Sequence, residues 1–164
     1  MSMQPAALAY EVEQSHAFFK RATAPFTEQD SGFAPYPDMF SVAQQIAHVA
    51  RTVDWFAEAG QRAEGFDHDF ERHVAEARAV TSISEARAWI DRACLACAQW
   101  LREADPAWLA APLPEGPVMG GAPRAAIVGG IVDHTAHHRG VLSVYLRALG
   151  QRPPMPYMDE DAPA

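Results

Sequence analysis

His134 and His138 stand four residues apart in the run Asp133-His134-Thr135-Ala136-His137-His138. On a helix that spacing puts both imidazoles on one face, about one turn apart, where a single helix can grip a zinc-like ion from two sides. Neutral imidazole suits Zn, Ni, Cu and Fe, and a catalytic centre commonly uses three protein ligands and leaves a fourth position open. The third ligand must then come from another helix. His48 is the best placed, beside a stripe that includes Ile46, Val49 and Val53 and so close to the interior. His16, on the first helix, is the reserve. His137 is rotated about 100° from His138 and is expected outside the site, with Asp133 four residues before it as a partner. His68 and His73 fall in a polar connection and read as surface residues. The residues between His134 and His138 include no glutamate, so the H-E-x-x-H arrangement of metalloproteases is absent.

Other chemistry is weaker. Gln44, one turn before His48, could line the substrate side or hold a ligand's second nitrogen. Asp54 and Asp133 are outer-sphere candidates, and no general base stands out. Arg139 is rotated off the face of His138 and reads as a surface or interface ion-pairing residue before an anion clamp. Cys94 and Cys97 make a C-x-x-C, but well inside a helix and not at its N-terminus, where a thiolate would be stabilised; core packing is expected of them. Trp55, Trp89 and Trp100 read as packing residues, whereas Phe33, Tyr36, Trp108 and Met119 lie in long connections that could cover a metal pocket.

Four amphipathic segments position these residues. The first runs from about Pro5 to Arg21, with Leu8, Val12, Ser15, Phe18 and Phe19 as its stripe, and a long loop with three prolines follows. Ser41 with Gln44 forms a capping-box pattern that opens the second helix, which stops at Gly60 or Gly65. The connection over residues 61–80 has room for a short helix. Ser82 with Glu85 repeats the pattern and opens a third helix to about Ala104. The Pro- and Gly-rich stretch from Asp105 to Gly121 reads as loop, and the fourth helix runs from Pro123 to about Leu149, ending at Gly150. No alternating β-branched run competes. The expectation is an all-α bundle of four helices, with residues 1–152 as a single domain and 153–164 as a proline-containing acidic tail, either solvent-facing or strapped across a partner.

Composition narrows the setting. The 164 residues are 49% hydrophobic and 21% charged, as in a folded domain with a real core. Thirteen Lys and Arg against 21 Asp and Glu give a formal charge of -8, which argues against nucleic acid as a partner. The N-terminal stretch has no export-signal pattern and no run is apolar enough for a membrane span, so a cytoplasmic setting without membrane partners is expected. Two cysteines cannot make a disulfide framework.

The run from Asp133 to Gly150, DHTAHHRGVLSVYLRALG, closely resembles the last-helix signature of the DinB/YfiT-like superfamily of metal-binding four-helix bundles. His48 in QQIAHVARTVDWF matches the family's second-helix histidine; His134 and His138, followed by Arg139 and Gly140, match its last-helix pair. The resemblance extends over about residues 5–152. It implies a four-helix bundle with a long crossover between helices two and three, often a homodimer. It further implies one divalent ion (Zn, Ni or Fe) on His48, His134 and His138. As function it implies a metal-dependent hydrolase or a thiol-dependent transferase acting on a small molecule, with a low-molecular-weight thiol as possible cosubstrate. A noncatalytic bundle of the DNA-damage-inducible type is the alternative, since a shared scaffold does not transfer a reaction.

Overall fold

A computed structural model of the chain describes residues 4–158. Its helices are α1 (Pro5–Thr23), α2 (Val42–Gln61), α3 (Phe70–Ala79), α4 (Ile83–Glu103), α5 (Pro106–Ala110) and α6 (Ile127–Ala148). Short 3₁₀ turns occupy Glu28–Asp30 and Arg124–Ala126, the latter running directly into α6. Helices α1, α2, α4 and α6 form the four-helix bundle, with α3 on the crossover between α2 and α4.

Both α1 and α2 pack against α4 and α6, so α1 and α2 sit on one diagonal of the bundle and α4 and α6 on the other. The direction of each pair follows from its cross-contacts. Asp54 meets Trp89 and Gly60 meets Trp100, so α2 and α4 run parallel. His48 meets His134 and Phe56 meets Gly130, so α2 and α6 are antiparallel. Parallel neighbours cannot be joined by a tight turn, because the chain must return along the bundle before starting again; α3 makes that return journey.

Local chemistry sets the ends. At α2 the capping box forms as expected, with Ser41 N donating to Gln44 Oε1 at 3.0 Å and Gln44 N donating to Ser41 Oγ at 3.4 Å. At α4 only half of the expected box is present: Glu85 N donates to Ser82 Oγ at 3.2 Å. Glu28, from the 3₁₀ turn in the first long loop, accepts the remaining orphan donors of Ile83 and Ser84 at 3.1 and 3.0 Å. The C-terminus of α2 is closed by Arg124, whose Nη1 donates to the carbonyls of Ala59, Gly60 and Arg62. Its guanidinium lies 4.1 Å from the centre of the Trp108 ring. Gly150 ends α6 with φ of 76°, the left-handed conformation a glycine adopts without strain.

Three expectations are corrected here. The stretch after α4 is not all loop, because Asp105 caps a one-turn α5 by accepting from Ala107 N at 2.9 Å. Phe33 and Trp108 do not cover a pocket: Phe33 packs edge-on against Tyr145 at 6.0 Å, and Trp108 donates its indole N–H to Gly60 O at 3.0 Å. Arg139 makes no carboxylate pair among the described residues; its Nη2 donates to Tyr157 Oη at 2.8 Å, with Phe18 stacked edge-on against Tyr157. Arg21 Nη1 donates to Pro156 O at 3.1 Å, so the segment up to Met158 lies against its own α1. Residues 159–164, the acidic end of the tail, lie outside the described residues.

Among the described residues no helix is long and apolar enough to cross a membrane. The core is continuous through all four bundle helices, from Val12 and Phe19 through Ile46 and Val53 to Ile90, Leu101, Ile131 and Leu142. Cys94 and Cys97 belong to it as free thiols; burial pushes both thiol pKa values up, Cys97 to about 12, so neither is a ready thiolate.

Candidate metal centre

Where α2 and α6 approach, His48, His134 and His138 converge. Each can offer one ring nitrogen to a set in which all three lie within 4.8 Å of one another. His48 Nε2 and His134 Nε2 are 3.2 Å apart. Two nitrogens at ordinary Zn–N distances in a tetrahedral shell are about 3.3 Å apart, so the spacing suits a shared ion. The ring centroids are 5.0 Å (His48–His134), 4.7 Å (His48–His138) and 4.3 Å (His134–His138) apart. Helix geometry produces this: the i, i+4 pair shares a face of α6, and that face meets the one α2 turn carrying His48.

The donor set is electronically prepared. Burial and the neighbouring imidazoles hold the pKa of His134 down to about 4 and that of His138 to about 3, and burial lowers His48 as well. All three are therefore neutral near pH 7, the form in which a ring nitrogen can bind a cation. Gln45 orients one of them. Its Oε1, which can only accept, lies 2.9 Å from His138 Nδ1, so Nδ1 carries the proton and the lone pair of Nε2 remains available. Thr52 Oγ1 donates to His48 O at 2.9 Å, on the turn that follows that histidine.

Beside the histidines opens a cavity of about 740 Å³. Its apolar wall includes Trp55, Phe56, Phe70, Val74 and Met119; its polar side includes Arg51, Thr52 and His73, with Asp133 and His137 exposed on α6. Gly130 shapes the junction, since a Cβ there would stand 2.5 Å from Phe56 Cε1.

Several expectations change at this point. His16 is no ligand; its Nε2 lies 2.8 Å from Asp91 Oδ1 on α4. Gln44 is spent on the cap of α2 and donates its amide to Arg78 O at 2.9 Å, so the orienting amide is the neighbouring Gln45. Asp54 faces Trp89, whose Nε1 donates to its Oδ2 at 2.7 Å, and lies off the cavity. Asp133 makes no hydrogen bond to His137 among the described residues, although both line the cavity. Trp55 is more than packing: its Nε1 donates to Asp67 O at 2.6 Å, which holds the indole in the cavity wall.

His73 departs furthest from its sequence reading. It is buried, not on the surface, and its Nδ1 accepts from Arg51 Nε at 3.1 Å. The signal was present in α3, where His73 and Ala77 are spaced four apart and both turn inward behind the Asp69 cap. Arg51, one turn beyond His48, carries no such signal, because a lone arginine on a helix ordinarily points to solvent.

Residues 11–142 match the family model described as the DinB superfamily. No curated protein matches the chain.

Proposed function

The chain belongs to the DinB superfamily, and from that premise we propose that it binds one divalent transition metal (Zn, Ni or Fe) through His48, His134 and His138. We propose further that it acts there on a small molecule as a metal-dependent hydrolase or thiol-dependent transferase. The convergence of three neutral imidazoles from two helices beside a cavity of about 740 Å³ carries this reading. A divalent ion with an open position lowers the pKa of water or a thiol enough to supply a nucleophile near neutral pH. The chain's own residues do the rest. His48, His134 and His138 supply three donors and no negative charge, and Gln45 fixes the tautomer of His138. Trp55, Phe56 and Phe70 give the adjoining space an apolar wall, and the cavity opens on the side where Asp133 and His137 are exposed.

A noncatalytic metal- or ligand-binding role is the second reading. It is favoured by one observation: among the described cavity residues Asp133 is the sole carboxylate, and it is exposed, so the pocket holds no shielded general base.

The test is metal content by elemental analysis of tag-free protein purified without added metal, wild type against His134→Ala. About one ion per chain, lost in the variant while the helical circular dichroism is kept, is the expected result. No ion in either protein after reconstitution with Zn, Ni and Fe overturns the proposal. Turnover screens on the loaded protein then separate the catalytic from the noncatalytic reading.

A further inference from the structure

The cavity beside the histidines has a cation in its wall that is already used. Arg51 is the single arginine among the described lining residues, and no lysine joins it. Its side chain is 7% exposed and is enclosed by acceptors. Glu58 takes both terminal nitrogens, at 3.4 Å from Nη1 and 3.2 Å from Nη2. Glu76 Oε2 lies 2.9 Å from Nε, the same nitrogen that donates to His73 Nδ1. A guanidinium held by two carboxylates and an imidazole presents little net positive charge to a ligand, and burying an anion without a free cation is costly.

The remaining wall is apolar and largely aromatic, with the Trp55 indole fixed by its bond to Asp67 O. His73 adds no donor to the cavity, because its free ring nitrogen is shut off from it. Because Nδ1 accepts from Arg51, the neutral ring carries its proton on Nε2, and that buried atom has no hydrogen-bond partner. The nearest carboxylate oxygen, on Asp67, is 3.8 Å away, beyond hydrogen-bond reach, and is itself paired with Arg72.

From this arrangement we infer that the cavity selects a ring-bearing, uncharged small molecule. Its one strongly polar group would meet the three histidines while its body lies against Trp55, Phe70 and Val74. Glu58 and Glu76 are then specificity-determining residues: by occupying Arg51 they exclude a second anionic group, such as a carboxylate or sulfonate, from the ligand's body. This rests on the proposed role of the histidines as the reactive end of the same pocket, but its test does not depend on a metal.

The test compares two fluorescent probes of one ring skeleton, neutral N-phenylnaphthylamine and the anionic anilinonaphthalene sulfonate. Each is titrated into the folded chain with chelator present and in about 0.5 M salt, which screens the protein's overall negative charge. Saturable binding of the neutral probe at one site per chain, at least about tenfold tighter than the sulfonate and weakened at least about tenfold by Val74→Asp, is expected. In the Glu58→Gln/Glu76→Gln variant, confirmed folded by circular dichroism, the freed guanidinium brings the sulfonate's affinity up to or above the neutral probe's. Equal or tighter binding of the sulfonate to the wild type, no saturable binding of the neutral probe, or indifference to Val74→Asp overturns the inference. Metal content, measured separately on the same preparations, shows independently whether the histidine reading stands.

Discussion

Gln45 Oε1 accepts a hydrogen bond from His138 Nδ1 across 2.9 Å, joining α2 to α6 through one amide. This bond leaves His138 Nε2 as a lone-pair donor and fixes the plane of the ring. Replacing Gln45 with Leu keeps the volume and removes the acceptor. It is expected to weaken metal binding by about 10- to 100-fold with the fold intact, whereas Gln45→Glu, which keeps an acceptor, retains most of the affinity. Competition with a chromophoric chelator measures both; equal affinity in Gln45→Leu and wild type refutes the orienting role.

The histidine cluster makes the metal-free protein sensitive to acid. His134 and His138 have folded-state pKa values held down to about 4 and about 3, and His48 is lowered as well, while in the unfolded chain they titrate near the ordinary 6.5. The unfolded state therefore binds more protons below that ordinary value. Stability is fully present above pH 6.5 and is lost as pH falls from there through the lowered values. Urea midpoints of chelator-treated protein are expected to fall from pH 7 to pH 5, with a shallower fall in a His134→Asn/His138→Gln variant.

Asp54 titrates in the opposite sense. Burial raises its pKa despite the bond from Trp89 Nε1, so the folded state holds this proton to higher pH than the unfolded one. The contribution is fully present below the ordinary carboxylate value and is lost as pH rises through the raised one. Asp54→Asn keeps an acceptor for the indole and removes the charge, so it is expected to be more stable than wild type at pH 7 and close to it at pH 4. Trp89→Phe strands the carboxylate's partner site and is expected to cost about 1–3 kcal/mol. Chemical denaturation at the two pH values checks both.

Two glycines of α6 are expected to respond oppositely to alanine. At Gly130 the new methyl would meet the Phe56 ring at 2.5 Å, and the overpacking is expected to cost about 1–3 kcal/mol. At Gly140 nothing lies within 4 Å, so alanine is expected to stabilise the helix by up to about 1 kcal/mol. Close approach within the chain therefore does not explain Gly140. If a homodimer packs on that face, Gly140→Ala weakens it, which sedimentation of the two proteins would reveal.

Much of this architecture is local in origin and for that reason legible in the chain. The stripes, the Ser41 cap, the Gly150 stop and the His134/His138 pair follow from periodicity and from groups a few residues apart, and they recur in the structure as read. The inward turn of His48 was legible as well, because its neighbours Ile46 and Val49 mark the buried face of α2. What tertiary structure alone decided are relations between elements. Gln45 and not Gln44 reaches His138, because rotating α2 to bury its stripe turns the one toward α6 and leaves the other at the cap. His73 sits in a sequence as polar as any surface helix, and it is buried because the parallel packing of α2 and α4 forces the crossover to lay α3 over Arg51. Glu58 meets that arginine from two turns along the same face of α2, but Glu76 reaches it from α3, a pairing with no sequence spacing to betray it. Residue types and intervals record which side chains share a face; which faces meet, and so which charges cancel, is settled by how four helices and their connections fill one interior.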